Sequence, residues 1–91
     1  MITTSNIKFV KGLESSINII DILKEDIQTG LINKTFEFSI NYLFNNFNCI
    51  TNNRIKAIKK SYYTNNFKLL NSKLTDLKNE LINLIHFYRI C

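Results

Sequence analysis

The apolar positions from Phe67 to Tyr88 step along the chain by threes and fours without a miss: Phe67, Leu70, Leu74, Leu77, Leu81, Leu84, Tyr88. That spacing is the a/d stripe of a helix packed along one side. No proline or glycine interrupts it. It predicts a helix over about residues 65–90, roughly 39 Å long at 1.5 Å per residue. This is expected to be the longest element and the one the others fold against.

Upstream, the pattern predicts shorter helices. Ser5 or Asn6 would cap a short one carrying Ile7, Phe9 and Val10 and stopped by Gly12. Ser15 or Ser16 would then open a second, running to about Thr29. Ile17, Ile20, Leu23 and Ile27 mark its buried face, and Ile19 and Ile22 widen it. Gly30 fits the left-handed stop of a Schellman motif, with Leu31 placed for the apolar contact that follows.

Residues 33–50 admit two periods. Phe36, Phe38, Ile40 and Tyr42 alternate with Glu37, Ser39 and Asn41, a strand pattern over 36–42. Phe36, Ile40, Leu43, Phe44, Phe47 and Ile50 form a longer helical stripe, with Asn33 or Thr35 as cap. A lone strand would have no partner, since no other segment alternates well, and the helix is the better fit. Thr51, Asn52 and Asn53 form a turn and cap cluster before a helix from Arg54 to Tyr63, whose inward residues are Ile55, Ile58 and Tyr62. A break at 64–66 leads into the long helix. The fold expected is a single all-α domain over residues 1–91: a small four- or five-helix bundle built on 65–90.

Composition sharpens this picture. Proline is absent and there are two glycines, so asparagine must punctuate the helices and hairpin turns have little material. Isoleucine, asparagine and lysine, encoded by AT-rich codons, dominate the chain and point to an AT-rich genome. Two cysteines, Cys49 and Cys91, make no disulfide framework and read as thiols of a reducing, intracellular compartment. With Cys91 last, the chain ends without a prenylation box, and its first residues lack the apolar core of a signal peptide. No stretch approaches a transmembrane span.

The net charge of +5 is unevenly distributed. Residues 1–37 balance at −1 and residues 76–91 at zero, whereas residues 38–75 hold Arg54, Lys56, Lys59, Lys60, Lys68 and Lys73 with no acid. Lys56, Lys59, Lys60 and Tyr63 share one helix face, flanked by Arg54 and Lys68. Such a face suits phosphates, with Tyr63 stacking on a base, or another acidic partner such as a protein patch or anionic lipid. Lysine in place of arginine favours non-specific contact. A helix-turn-helix reading of 54–84 fails, because its second helix carries apolar residues where base contacts are needed.

The second candidate surface is the end of the long helix. Leu81, Ile82, Leu84, Ile85, Phe87, Tyr88 and Ile90 leave only Asn83, His86 and Arg89 as polar relief. Such a segment is either surrounded by the other helices or offered to a partner, another protein or a second copy. A free-standing parallel zipper is disfavoured: with Phe67 at position a, its cross-strand pairs would be Lys73 with Lys78 and Glu80 with Ile85.

The chemistry of catalysis is missing from the residues. His86 is the only histidine, too few ligands accompany it for a metal, and no phosphate loop or nucleophile elbow occurs. Glu25 and Asp26, the one adjacent acidic pair, read as a solvated face. No cofactor is implied. The expectation is a small, soluble, non-enzymatic intracellular protein acting through protein–protein interaction, with nucleic-acid binding by residues 54–68 as the alternative.

Overall fold

The computed structural model describes residues 4–46 and 53–90, and the side chains of 7–46 and 53–88. Four helices pack together: α1 (Thr4–Thr29), α2 (Lys34–Asn46), α3 (Asn53–Tyr63) and α4 (Phe67–Ile90). The bundle is all-α, and the 36–42 stretch is helical, not a strand. Phe36, Ile40, Leu43 and Phe44 are all buried, which the helical period requires and the alternation would not. The remaining residues of that stripe, Phe47 and Ile50, lie outside the described residues, as do Thr51, Asn52, Cys49 and Cys91.

The helix ends follow from short polar side chains. Asn33 Oδ1 accepts the Phe36 amide at 3.1 Å and Asn66 Oδ1 accepts the Leu69 amide at 3.2 Å, each capping the helix that follows it. Gly30 has a φ of 76° and ends α1. Its N–H donates to Ile27 O and that of Leu31 to Asp26 O, the two bonds of a Schellman motif. The Leu31 side chain that follows stays 56% exposed. Asn65, at φ 58°, repeats the motif after α3: its N–H reaches Tyr62 O and that of Asn66 reaches Ser61 O. Asparagine takes the left-handed position here because its short polar side chain tolerates it better than other non-glycine residues do.

Gly12 does not stop a helix. α1 runs through it as one helix of 26 residues, longer than the 24 of α4, with Ser5, Asn6, Ser15 and Ser16 all inside. The reason is packing. Leu13, Ser16, Ile20 and Leu23 continue one buried face across the supposed break, and a helix that buries a stripe absorbs the modest cost of one interior glycine. Ser16 is therefore a core residue, and its Oγ accepts from Asn46 Nδ2 at 3.2 Å. Ile22 is 51% exposed and does not widen that face. The two glycines should respond oppositely to alanine. A Cβ on Gly12 would meet open space, so Gly12→Ala is expected to stabilise by about 0.5–1 kcal/mol. Gly30→Ala, forced into the left-handed region, should lose about 1 kcal/mol or more. Urea midpoints of the two variants check both signs.

Contacts fix the layout. Lys78 Nζ donates to Asp21 at 2.6 Å and the Phe9 and Tyr88 rings lie 4.9 Å apart, so α1 and α4 run antiparallel over their whole length. Asn46, at the end of α2, meets Ser16 near the middle of α1. Arg54, at the start of α3, pairs with Glu80 near the middle of α4. The short helices thus flank only the half of the long pair nearer the Gly30 and Asn65 turns. Among the described residues, 4–15 of α1 and 81–90 of α4 extend as a two-helix arm past the ends of the short helices, in a molecule with extents of 43 × 23 × 19 Å. The core follows this division: Ile20, Leu23, Phe36, Ile40, Leu43, Ile58, Leu70 and Leu74 are fully buried in the four-helix half.

Candidate functional site

The structure separates the two predicted surfaces and alters the membership of each. Lys56, Lys60 and Tyr63 lie exposed on the outer side of α3, with Tyr63 at 68%. Lys59 is half-buried, its ammonium 5.4 Å from the centroid of the Phe44 ring of α2, a cation–π contact between the two short helices. Lys68 is exposed on the first turn of α4. Arg54 is exposed but turned toward α4, where it forms an ion pair with Glu80, so its charge is shared with the α3–α4 contact. The wheel explains this. Arg54 precedes Ile58 by four residues and shares its inward side, whereas Lys56 and Lys60 flank the opposite side.

Sequence reasoning missed the residues that α2 adds to this face. Phe38 is 72% exposed and Lys34 and Asn41 are exposed too. The signal was present in the stripe Phe36, Ile40, Leu43, Phe44: if those point inward, residue 38 must point outward. A shallow depression joins the helices, lined by Glu37 and Asn41 of α2 with Tyr62 and Tyr63 of α3. Tyr62, half-buried there with its ring 6.3 Å from that of Phe44, has its phenol pKa pushed up, first by burial and then by the negative charge of Glu37 and by Tyr63.

The apolar end of α4 is divided by the fold. Leu81 and Ile85 are core, 2% and 8% exposed, and cannot serve as a docking surface. Ile82 and Tyr88 are half-buried. Leu84 and Phe87 are exposed, at 36% and 59%. Ile90 closes the helix, and its side chain lies outside those described. On α1 the matching residue is Phe9, which sits on the same side as Leu13 and Ile20 yet is 43% exposed. Between the arm and the end of α2 lies an open groove of about 450 Å³, lined by Phe9, Gly12, Leu13, Tyr42, Leu81 and Leu84 among others. Gly12 is part of its wall, and a Cβ there would meet no atom within 4 Å.

His86 is exposed, and among the described residues no three or more His, Cys, Asp or Glu gather in a metal-binding group. No helix among them is long and apolar enough to cross a membrane. Compared with protein-family models, curated proteins and solved structures, the chain matches none.

Proposed function

We propose that this is a small, non-enzymatic intracellular helical protein that works by binding another protein chain through the α1–α4 arm. One observation carries the reading: the core-facing stripe of the long helices outlasts the short helices that cover it. Past the described ends of α2 and α3, Phe9 continues the inward side of α1, while Leu84 lies beside and Phe87 outside the buried stripe Leu77, Leu81 and Ile85 of α4; the three remain exposed at 43%, 36% and 59%. In a chain this small, apolar surface left on one end of the core is costly unless something covers it. The occupant that fits is an amphipathic helix laid along the groove beside Gly12, its apolar residues against Phe9 and Leu84, with Phe87 one turn further along α4. The non-enzymatic part rests on the residue inventory, with its single histidine and scattered carboxylates.

The test measures exposed apolar surface and association together. The wild-type chain should enhance anilinonaphthalene sulfonate fluorescence or sediment as a dimer. A Leu84→Ser/Phe87→Ser variant should lose that signal while keeping its far-ultraviolet circular dichroism. Gly12→Leu, which fills the groove without touching the core, should lose it as well. A wild-type protein that is strictly monomeric and binds no dye would retire this function.

A further inference from the structure

A different surface supports a different ligand. We infer that the outer face shared by α2 and α3 binds single-stranded nucleic acid, without sequence preference. Three observations converge there. The first is charge. α2 and α3 together carry Lys34, Arg54, Lys56, Lys59 and Lys60 against one acid, Glu37. With Arg54 held by Glu80 and Lys59 half-buried against Phe44, three exposed lysines remain, Lys34, Lys56 and Lys60. A polyanion is the partner this balance complements.

The second observation is aromatic. Phe38 and Tyr63 are the most exposed large apolar side chains among the described residues, at 72% and 68%. Neither contributes to the core, and both sit among the lysines. The depression lined by Glu37, Asn41, Tyr62 and Tyr63 joins Tyr63 to α2, and Phe38 projects from α2 next to Glu37 in sequence, one turn after Lys34. Rings interleaved with cations form a stacking platform for unpaired bases, the arrangement that sequence-tolerant single-strand binders use. A duplex hides its base faces and would leave both rings unused.

The third is the polar lining. Asn41 and Asn45, exposed on the same side of α2, supply amide donors and acceptors suited to base edges. The face holds lysine and no outward arginine, so bidentate reading of a chosen base is not expected. An acidic protein patch would satisfy the lysines but gives no use for two exposed rings. Glu37 is the discordant charge, and it lies at the edge beside Tyr62 and Tyr63.

Fluorescence anisotropy of labelled oligo-dT and oligo-U with the full chain tests the inference. Binding is expected at low salt. With about three phosphates neutralised, affinity should fall roughly 16-fold between 50 and 200 mM salt. Lys56→Glu/Lys60→Glu should abolish binding. Phe38→Ala and Tyr63→Ala should each weaken it about tenfold, within the range for loss of one stacked base. Glu37→Gln should tighten it. All these side chains are outside the core, so circular dichroism should be unchanged. The inference is overturned by absence of binding at low salt or by a preference for duplex. It is equally overturned if heparin or phosphatidylserine vesicles bind as well as the oligonucleotides while the ring variants behave as wild type. That last outcome would leave a generic anion face. None of these outcomes bears on the arm, which the Leu84→Ser/Phe87→Ser variant tests separately.

Discussion

Phe36→Ala is expected to cost about 3–5 kcal/mol, the largest loss of any single truncation here. Phe36 is fully buried, and its ring lies 6.1 Å from Tyr62 of α3 and 6.3 Å from Phe67 of α4. It is therefore where α2, which packs chiefly on α1, also touches α3 and α4. α2 has only 13 residues, too few to be stable as an isolated helix. Its order depends on four buried side chains, Phe36, Ile40, Leu43 and Phe44, and Phe36 is the largest fully buried one. A chain of this length has roughly 5–14 kcal/mol to lose. The variant should consequently be partly unfolded at room temperature. Urea melts followed by circular dichroism measure the loss. A value below 1 kcal/mol would mean that α2 is not docked through this ring. Phe38→Ala is the internal control: two residues along, on the exposed side, it should change stability by a few tenths of a kcal/mol at most.

That contrast between neighbours also shows what the sequence made legible. Positions 36–42 fit both periods, and length decides between them: six apolar residues at helical spacing from Phe36 to Ile50, against a four-residue alternation with nothing to pair with. Once the helix is chosen, Phe38 is obliged to face outward. Its role is then a question about the surface, which hydrophobic periodicity does not address. Helix ends were legible wherever a single residue type satisfies the backbone, as Gly30, Asn33, Asn65 and Asn66 do. Gly12 was misleading because a glycine marks a stop only when its φ turns positive. Gly12 keeps the helical backbone, and the stripe through Leu13, Ser16 and Ile20 decides the matter. Ser16 could not have been found by hydropathy, since its burial depends on a hydrogen bond to Asn46, thirty residues away. The pairing of Arg54 with Glu80 was hidden for the same reason: it depends on which helices become neighbours.

The long C-terminal stripe carries the second large effect, and its phase is the point at issue. Leu77 is 1% exposed at the centre of α4, and Leu77→Ala is expected to cost about 2–5 kcal/mol. The strict alternation of threes and fours extends the same expectation to Leu84, one heptad further on. The structure does not. Leu84 is 36% exposed and Ile85, 8% exposed, takes its place in the core. A heptad repeat averages 3.5 residues per turn, whereas a straight helix needs about 3.6, so the stripe drifts about 20° per heptad. Phe67 to Ile85 spans about five turns of a straight helix, and the inward side has passed from the d-type leucine to its neighbour. A supercoiled partner would have kept Leu84 on the seam. In this bundle Leu84 is left at the edge of the buried stripe, exposed on the arm. Leu84→Ala should therefore cost less than about 1 kcal/mol, several-fold less than Leu77→Ala, although the two residues are equivalent in the heptad. Equal losses in urea melts would show that α4 packs on the heptad seam after all, and would remove Leu84 from the exposed surface on which the binding role depends.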